Sequence, residues 1–287
     1  MNPLISTIIL AHNKAAYTRR CLENLLLTQE ATLEVWLVDN GSTDETREVF
    51  AAFAARAEER GWSVQQILNE VNVGAVTGRN QALAQATGEY IAFLDNDTAV
   101  RDTRWAAKLR AVLMADPTIG LVGPKLVFPW PPYLIECAGC AISPGGRVQY
   151  RGRGEPRDRL EFNRRQEVQG LISACWLFRC SLYQELGPLD EIFNPVQYED
   201  LDYCYRAKQL GYRCVYVPEV EMYHFENVTT AGSGDINFAY RTLRNGRIFA
   251  RRWQQVFAQE NGPPDEAVHW RDLPRWGVEE VGELPTY

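Results

Sequence analysis

Positive charge is scarce in this 287-residue chain, and what there is comes almost entirely as arginine. Four lysines and 26 arginines stand against 37 Asp and Glu, for a formal net charge of −7. An acidic chain has no electrostatic footprint for nucleic acid. No apolar run approaches the ~20 residues that span a bilayer. Those at 7–11 and 91–94 are strand-sized. Met1 leads into a strand-like segment without a basic stretch, which argues against an export signal. Seven cysteines, an odd count without such a signal, read as reduced thiols in the cytoplasm. Also missing are G-x-x-x-x-G-K-[ST], G-x-G-x-x-G, G-x-S-x-G and H-E-x-x-H, which removes four familiar enzyme classes. What is present, 46% hydrophobic and 11% aromatic residues, is the composition of a folded globular protein.

The first hundred residues alternate short apolar runs with longer amphipathic ones. Strands are expected at 4–10, 33–38, 64–68 and 90–94, and helices at 15–27, from Ser42 or Thr43 to about 60, and at 77–85. Ser42 or Thr43 is the expected helix cap and Gly61 the stop. This alternation predicts a parallel sheet with helices on both faces. Later come a helix at 104–115, a strand at 120–128 and a hairpin about Pro144-Gly145-Gly146. A charged, mobile loop is expected at 151–165, a strand at 168–179 and a short helix at 180–186. A helix at 201–210, strands at 214–217 and 221–225, and a long helix at 236–257 complete the pattern. In open α/β sheets ligands bind beyond the carboxyl ends of the strands. Here those ends carry His12 and Asn13, Asp39 and Asn40, Asn69 to Asn72, and Asp95-Asn96-Asp97.

Asp95 and Asp97, two apart, point the same way if the segment is extended. Two close carboxylates are costly unless a cation neutralises them. Hard oxygen ligands select Mg²⁺ or Mn²⁺, ions that usually also hold substrate phosphates. The pair alone equally describes a solvated loop. Its context is Val38-Asp39-Asn40-Gly41-Ser42-Thr43-Asp44, then Asn69 to Asn80, then Tyr198-Glu199-Asp200-Leu201-Asp202, Arg206, Gly211-Tyr212, Pro218 and His224. In this order, over about residues 4–250, the chain resembles the family 2 glycosyltransferases of GT-A fold that build bacterial surface polysaccharides, including rhamnosyltransferase-like members.

The resemblance implies an α/β fold with a Rossmann-like, mostly parallel central sheet and a small antiparallel acceptor-side sheet. It divides the chain into a nucleotide-sugar half (1–100), an acceptor half (101–258) and a docking tail (259–287). Asp39 matches the residue that accepts from the nucleobase N–H, which favours UDP or dTDP. Asn72, Arg79 and Asn80 fall in the segment lining the donor pocket. Asp95 and Asp97 match the Asp-x-Asp pair, and His224 the histidine that completes the metal site. Asp200, beside Glu199, matches the catalytic base, and Arg244-Asn245 a late pair without a clear role. The implied reaction is metal-dependent and inverting. A sugar moves from a nucleotide-diphosphate donor to a hydroxyl of a saccharide or lipid-linked acceptor, in a cytoplasmic protein open to peripheral membrane association and to homo-oligomerisation.

Each feature has a structural alternative. Glu199 and Asp200 suit the positive end of a helix, and His224 suits a hydrogen-bonded core. His12 and His269 read as structural or surface residues. Cys137 and Cys140 would need two further ligands for zinc, which Cys175 and Cys180 could supply; buried thiols are the default. Arg151, Arg153, Arg157 and Arg159 offer an anionic acceptor a grip, or form a solvated loop. A lid is expected at 226–235, and the tail is expected to be non-catalytic and docked through Trp270, Leu273 and Trp276. The competing functions are a sugar-phosphate nucleotidyltransferase, whose Gly-rich N-terminal loop is absent from 8–14, and a non-catalytic nucleotide-sugar-binding module.

Overall fold

The computed structural model describes residues 3–226, 228 and 237–287. In chain order the elements are β1 (Leu4–Ala11), α1 (Ala15–Leu25), β2 (Thr32–Asn40), α2 (Thr46–Glu59), β3 (Ser63–Asn69), α3 (Ala75–Leu83), β4 (Tyr90–Asp95) and β5 (Thr98–Val100). Then come α4 (Trp105–Ala115), β6 (Ile119–Val127), β7 (Ile135–Cys137), β8 (Cys140–Ile142), β9 (Val148–Tyr150), β10 (Gln166–Val168), β11 (Cys175–Arg179) and α5 (Cys180–Leu186). The chain continues through α6 (Glu199–Gln209), β12 (Arg213–His224) and α7 (Phe238–Phe257).

One sheet runs in the order β10-β12-β6-β11-β4-β1-β2-β3, with β5 on β12 and β7 on β6. β3, β2, β1 and β4 are parallel, as are β6 and β12; β11 runs antiparallel between β4 and β6. β1, β2 and β4 are almost wholly buried, as strands covered on both faces must be. β8 and β9 form a separate antiparallel pair. The mixed α/β architecture is the expected one, and the sheet is continuous across residue 100 because β4 pairs with β11. The chain winds outward from β1 to β3, then returns to the other side of β1 as β4. Strand order therefore reverses between β1 and β4, where Leu10 lies in register with Asp95.

Several local expectations are corrected. The strand expected at 168–179 is two: β10 sits at the sheet edge and β11 between β6 and β4, so residues 169–174 must cross two strands. The strands expected at 214–217 and 221–225 are one, broken only in register between Val217 and Glu221. Pro218, lacking an N–H, interrupts the ladder without ending the strand. α2 starts at Thr46, not at a Ser42 or Thr43 cap. Ser42 Oγ instead accepts from Asn13 N (2.8 Å), and Asp44 accepts from Ala15 N (2.9 Å) and Thr46 N (3.1 Å), stitching the two loops together. The 151–165 segment is not a loose charged loop. Arg153 is buried, and Lys125 Nζ donates to Arg157 O (2.9 Å) and Asn163 Oδ1 (2.6 Å). The tail docks on its own chain: Val278, Val281 and Leu284 bury against a cluster containing Phe128, Trp130 and Phe225.

α7 lies against α6 through Phe249, Trp253 and Tyr205. Asp202 on α6 is fully buried, and its Oδ1 accepts from Trp253 Nε1 and Arg252 Nη1, both 2.8 Å. Removing this acceptor strands a buried indole N–H. Asp202→Ala is expected to lower unfolding stability in urea by about 2–3 kcal/mol, the worth of a hydrogen bond to a buried charge. A loss under about 0.5 kcal/mol, the range of ordinary surface substitutions, would show that this contact does not hold the two helices together.

Candidate active site

A cavity of about 400 Å³ opens at the β1–β4 switch point. Asp95 ends β4 and Asp97 lies in the turn to β5. β5 pairs antiparallel with β12, opposing His224 to Thr98, so the last residue of β12 is delivered to the acidic pair. His224 Nε2 lies 3.2 Å from Asp97 Oδ1 and 3.9 Å from Asp95 Oδ2. One ligand atom from each of the three residues falls within 4.8 Å of the others. On its far side His224 Nδ1 is held by Glu136 Oε2 at 2.9 Å. A carboxylate behind the imidazole is how metal-binding histidines are oriented.

Whether these residues suit a metal is answered by His224 Nε2, a buried atom with no hydrogen-bond partner. Such orphans are rare in native interiors. Two carboxylates and one imidazole nitrogen are a donor set a divalent ion such as Mg²⁺ or Mn²⁺ accepts. Burial opposes charge on His224, but Glu136 and Asp97 outweigh it and raise its pKa well above the ordinary value. Burial likewise opposes the Asp97 carboxylate, but His224 brings its pKa below the usual. Glu136 goes the other way, pushed up by burial.

Across the cavity, α6 opens with Glu199 and Asp200. Gln197 and Tyr198 before them adopt positive φ, 87° and 73°, a strained entry for non-glycine residues. Asn245 on α7 is fully buried, and its Nδ2 donates to the carbonyls of Phe193 (2.7 Å), Val196 (2.9 Å) and Gln197 (3.0 Å). That gives the late Arg-Asn pair its role: it holds the turn that aims Glu199 and Asp200. Asp200 is half-buried, with Oδ1 accepting from Leu201 N (2.7 Å) and Oδ2 from Ser173 N (3.2 Å). Burial raises its pKa. Burial and the Asp200 charge push Glu199 up to about 8, with Arg79 opposing.

Arg79, buried on α3, joins the two sides. It pairs with Asp95, and its Nη1 donates to Ser173 Oγ (2.9 Å) and Glu199 Oε1 (3.3 Å). Gly74 starts α3 at φ +91°, and a Cβ there would meet Asn194 Oδ1 at 2.1 Å, so the α3 start packs tightly on the turn before α6.

Other expected residues sit differently. Asn72 lines the cavity, its Oδ1 accepting from Asn40 Nδ2 (2.8 Å) and Gly74 N (2.9 Å). Asp39 does not. It is fully buried behind the wall, accepting from Ser42 N (2.9 Å) and Arg47 Nε (2.6 Å). Asn80 also lies off the wall, exchanging hydrogen bonds with the Leu189 backbone (2.9 Å each). Cys137, Cys140 and Cys175 are buried free thiols, and among the described residues no four-sulfur group assembles. The lid expected at 226–235 lies outside the described residues apart from Glu226 and Val228. Sequence reasoning missed Glu136, Tyr150 and Ser173, gave His12 and Asn40 only as strand-end residues and Trp270 only as a docking residue; all six lie on the cavity wall. Glu136, a carboxylate inside an apolar run, was findable; the others carry no pattern of their own. Trp270 brings the tail, expected to be non-catalytic, to the cavity wall.

The family described as Glycosyl transferase family 2 matches residues 6–187. The chain belongs to glycosyltransferase family 2. The uncharacterized protein y4gI of Sinorhizobium fredii is 28% identical over 96% of this chain, and O-antigen biosynthesis protein RfbC of Myxococcus xanthus 28% identical over 79%. The chain spans 31% and 18% of those relatives' lengths. Mannosyltransferase PcManGT from Pyrobaculum calidifontis, solved with GDP-Man and Mn²⁺, superposes with a TM-score of 0.61 at 20% identity over 92% of this chain and 66% of its own. That likeness shows the GT-A fold. The family model's match ends at residue 187, so Glu199, Asp200, His224 and Asn245 lie outside that segment.

In this family 2 chain the Glu199 environment has a measurable consequence. Its folded pKa, about 8, lies above the ordinary glutamate value. The stability associated with its proton is therefore full at acid pH and lost as pH rises from the ordinary range through about 8. Glu199→Gln is expected to gain melting temperature relative to the parent over that interval, measured without metal. A difference that stays flat from acid to alkaline pH would contradict the placement of Glu199.

Proposed function

We propose that this chain transfers a sugar from a nucleoside-diphosphate donor to a hydroxyl of a saccharide acceptor, in one displacement with inversion. The observation that carries this reading is that one cavity holds a metal-type Asp-Asp-His cluster and, facing it, a backbone-anchored carboxylate. A divalent ion held by Asp95, Asp97 and His224 would act as Lewis acid toward the departing diphosphate. Asp200 takes the acceptor proton as its oxygen attacks the anomeric carbon. The bond to the diphosphate breaks, and the diphosphate leaves with the electron pair. The hydrogen bonds from Ser173 N and Leu201 N fix Asp200 for that task. Arg79 and Glu199 position and neutralise; a second carboxylate nucleophile is not required.

Asp39, the residue that argued for UDP or dTDP, stands behind the wall with both oxygens engaged, and PcManGT was solved with GDP-Man. The acceptor end is apolar and aromatic, with Val148, Tyr150, Ile172, Leu201 and Trp270. The loop arginines that would grip an anion are spent: Arg153 on Glu226, Arg157 on Glu221, Arg159 on Glu155. Tyr150 and Trp270 meet edge-on at 5.3 Å. Their ring faces suit an uncharged sugar ring. Assembly of a surface polysaccharide fits both this wall and the likeness to RfbC.

Three variants test the assignment. Asp97→Ala should abolish the Mn²⁺-dependent rise in melting temperature given by nucleoside diphosphates, since a ligand bound only to the native state must stabilise it. An unchanged rise would remove the metal site. Asp200→Asn should cut turnover roughly 10²–10⁴-fold, the usual worth of a general base, with donor binding unaltered. Near-normal turnover would refute Asp200 as the base. Trp270→Ala should raise the acceptor KM and spare nucleotide binding; an unchanged KM would remove the tail from the acceptor site.

A further inference from the structure

α7 has two unlike faces. Asn245, Phe249, Trp253 and Phe257 recur every fourth residue and are buried. Tyr240, Leu243, Arg244, Arg247 and Arg251 recur at spacings of three and four, which places them on one outward stripe. Tyr240 is 57% and Leu243 64% exposed. The helix holds five arginines and no acidic residue, in a chain whose net charge is −7. Arg252, off the stripe, pairs with Asp190 and Asp202, and Arg244 donates to Ile192 O (2.8 Å). Arg247 and Arg251 make no hydrogen bond or ion pair among the described residues, and Arg241 lies over the Tyr240 ring at 5.7 Å.

We propose that this stripe docks the protein on the surface of an anionic phospholipid bilayer. Unpaired arginines on one helix face complement headgroup phosphates. An exposed aromatic beside an exposed leucine, at one end of the stripe, suits the boundary between headgroups and acyl chains. A soluble polyanion would use the charge but not the Tyr240–Leu243 pair. Single exposed apolar residues are ordinary; two on one basic stripe without acidic neighbours on the helix are not. Among the described residues no helix is long and apolar enough to cross a membrane, so this contact is peripheral. α7 also carries Thr242, a residue of the cavity wall. Thr242 lies on the helix face turned away from the stripe, so the docked face and the cavity wall share the helix but not a side of it.

Co-sedimentation of the whole chain with vesicles of phosphatidylcholine alone, or mixed with phosphatidylglycerol, tests this. The protein should sediment with the mixed vesicles at low salt, be released at high salt, and ignore phosphatidylcholine alone. Arg247→Glu/Arg251→Glu should lower the bound fraction about tenfold or more. Leu243→Asp should lower it as well. Arg247→Gln/Arg251→Gln provides a milder variant should the reversal disturb folding. Failure of the parent to bind mixed vesicles, or parent-like binding by either arginine variant, overturns the proposal. So does parent-like binding by Leu243→Asp together with release by heparin, which would assign the stripe to a soluble polyanion. The Mn²⁺-dependent nucleotide shift, measured on the same variants, should stay at the parent value. It reports on the glycosyl-transfer reading separately, because the stripe does not touch the Asp95–Asp97–His224 cluster.

Discussion

Six carboxylates, Asp95, Asp97, Glu136, Glu199, Asp200 and Glu226, wall a single cavity whose lining also carries Arg79 and His224. Like charges at this density inside a protein are tolerated only when compensated. Arg79 compensates twice, at Asp95 and at Glu199, and so ties the β4 side of the cavity to the α6 side through one buried guanidinium. His224 does the same between Asp97 and Glu136. The surplus of negative charge that remains, and a His224 Nε2 that faces Asp97 without a hydrogen bond, are the physical basis for a divalent ion.

The fold supplies those positions by rigid means. Reversal of strand order beside β1 opens the crevice. The short β5–β12 ladder carries His224 back to the Asp pair, and a strained turn begins α6. Asn245, on a helix packed behind that turn, draws three carbonyls together. Asp202 and Trp253 fasten the same helix to α6. Residues far apart in sequence thus position Glu199 and Asp200 indirectly. The tail adds a further layer: Trp270 reaches the cavity, while Arg153, stacked on it at 3.9 Å, pairs with Glu226 at the end of β12.

Alternating apolar runs and strand-end polar residues made the α/β class and the location of the site legible, because strand periodicity and loop polarity are local properties. The Asp95–Asp97 pair and the Glu199-Asp200 step were readable for the same reason. The errors were non-local. The segment 168–179 is continuous in propensity but must leave the sheet to cross two strands. The arginines at 151–165 look solvated until Glu221 of β12 and Glu226 just beyond it arrive beside them.

The sequence by itself determined which chemistry the chain carries, since carboxylates, an imidazole and a guanidinium at strand and helix ends are written in its residue order. Tertiary structure alone decided which of them meet. Glu136 behind His224, Arg79 between Asp95 and Glu199, Asn245 beneath the α6 turn and Trp270 on the cavity wall are contacts across many tens of residues. Each depends on strand order and helix packing, and no local spacing encodes a distance across a sheet.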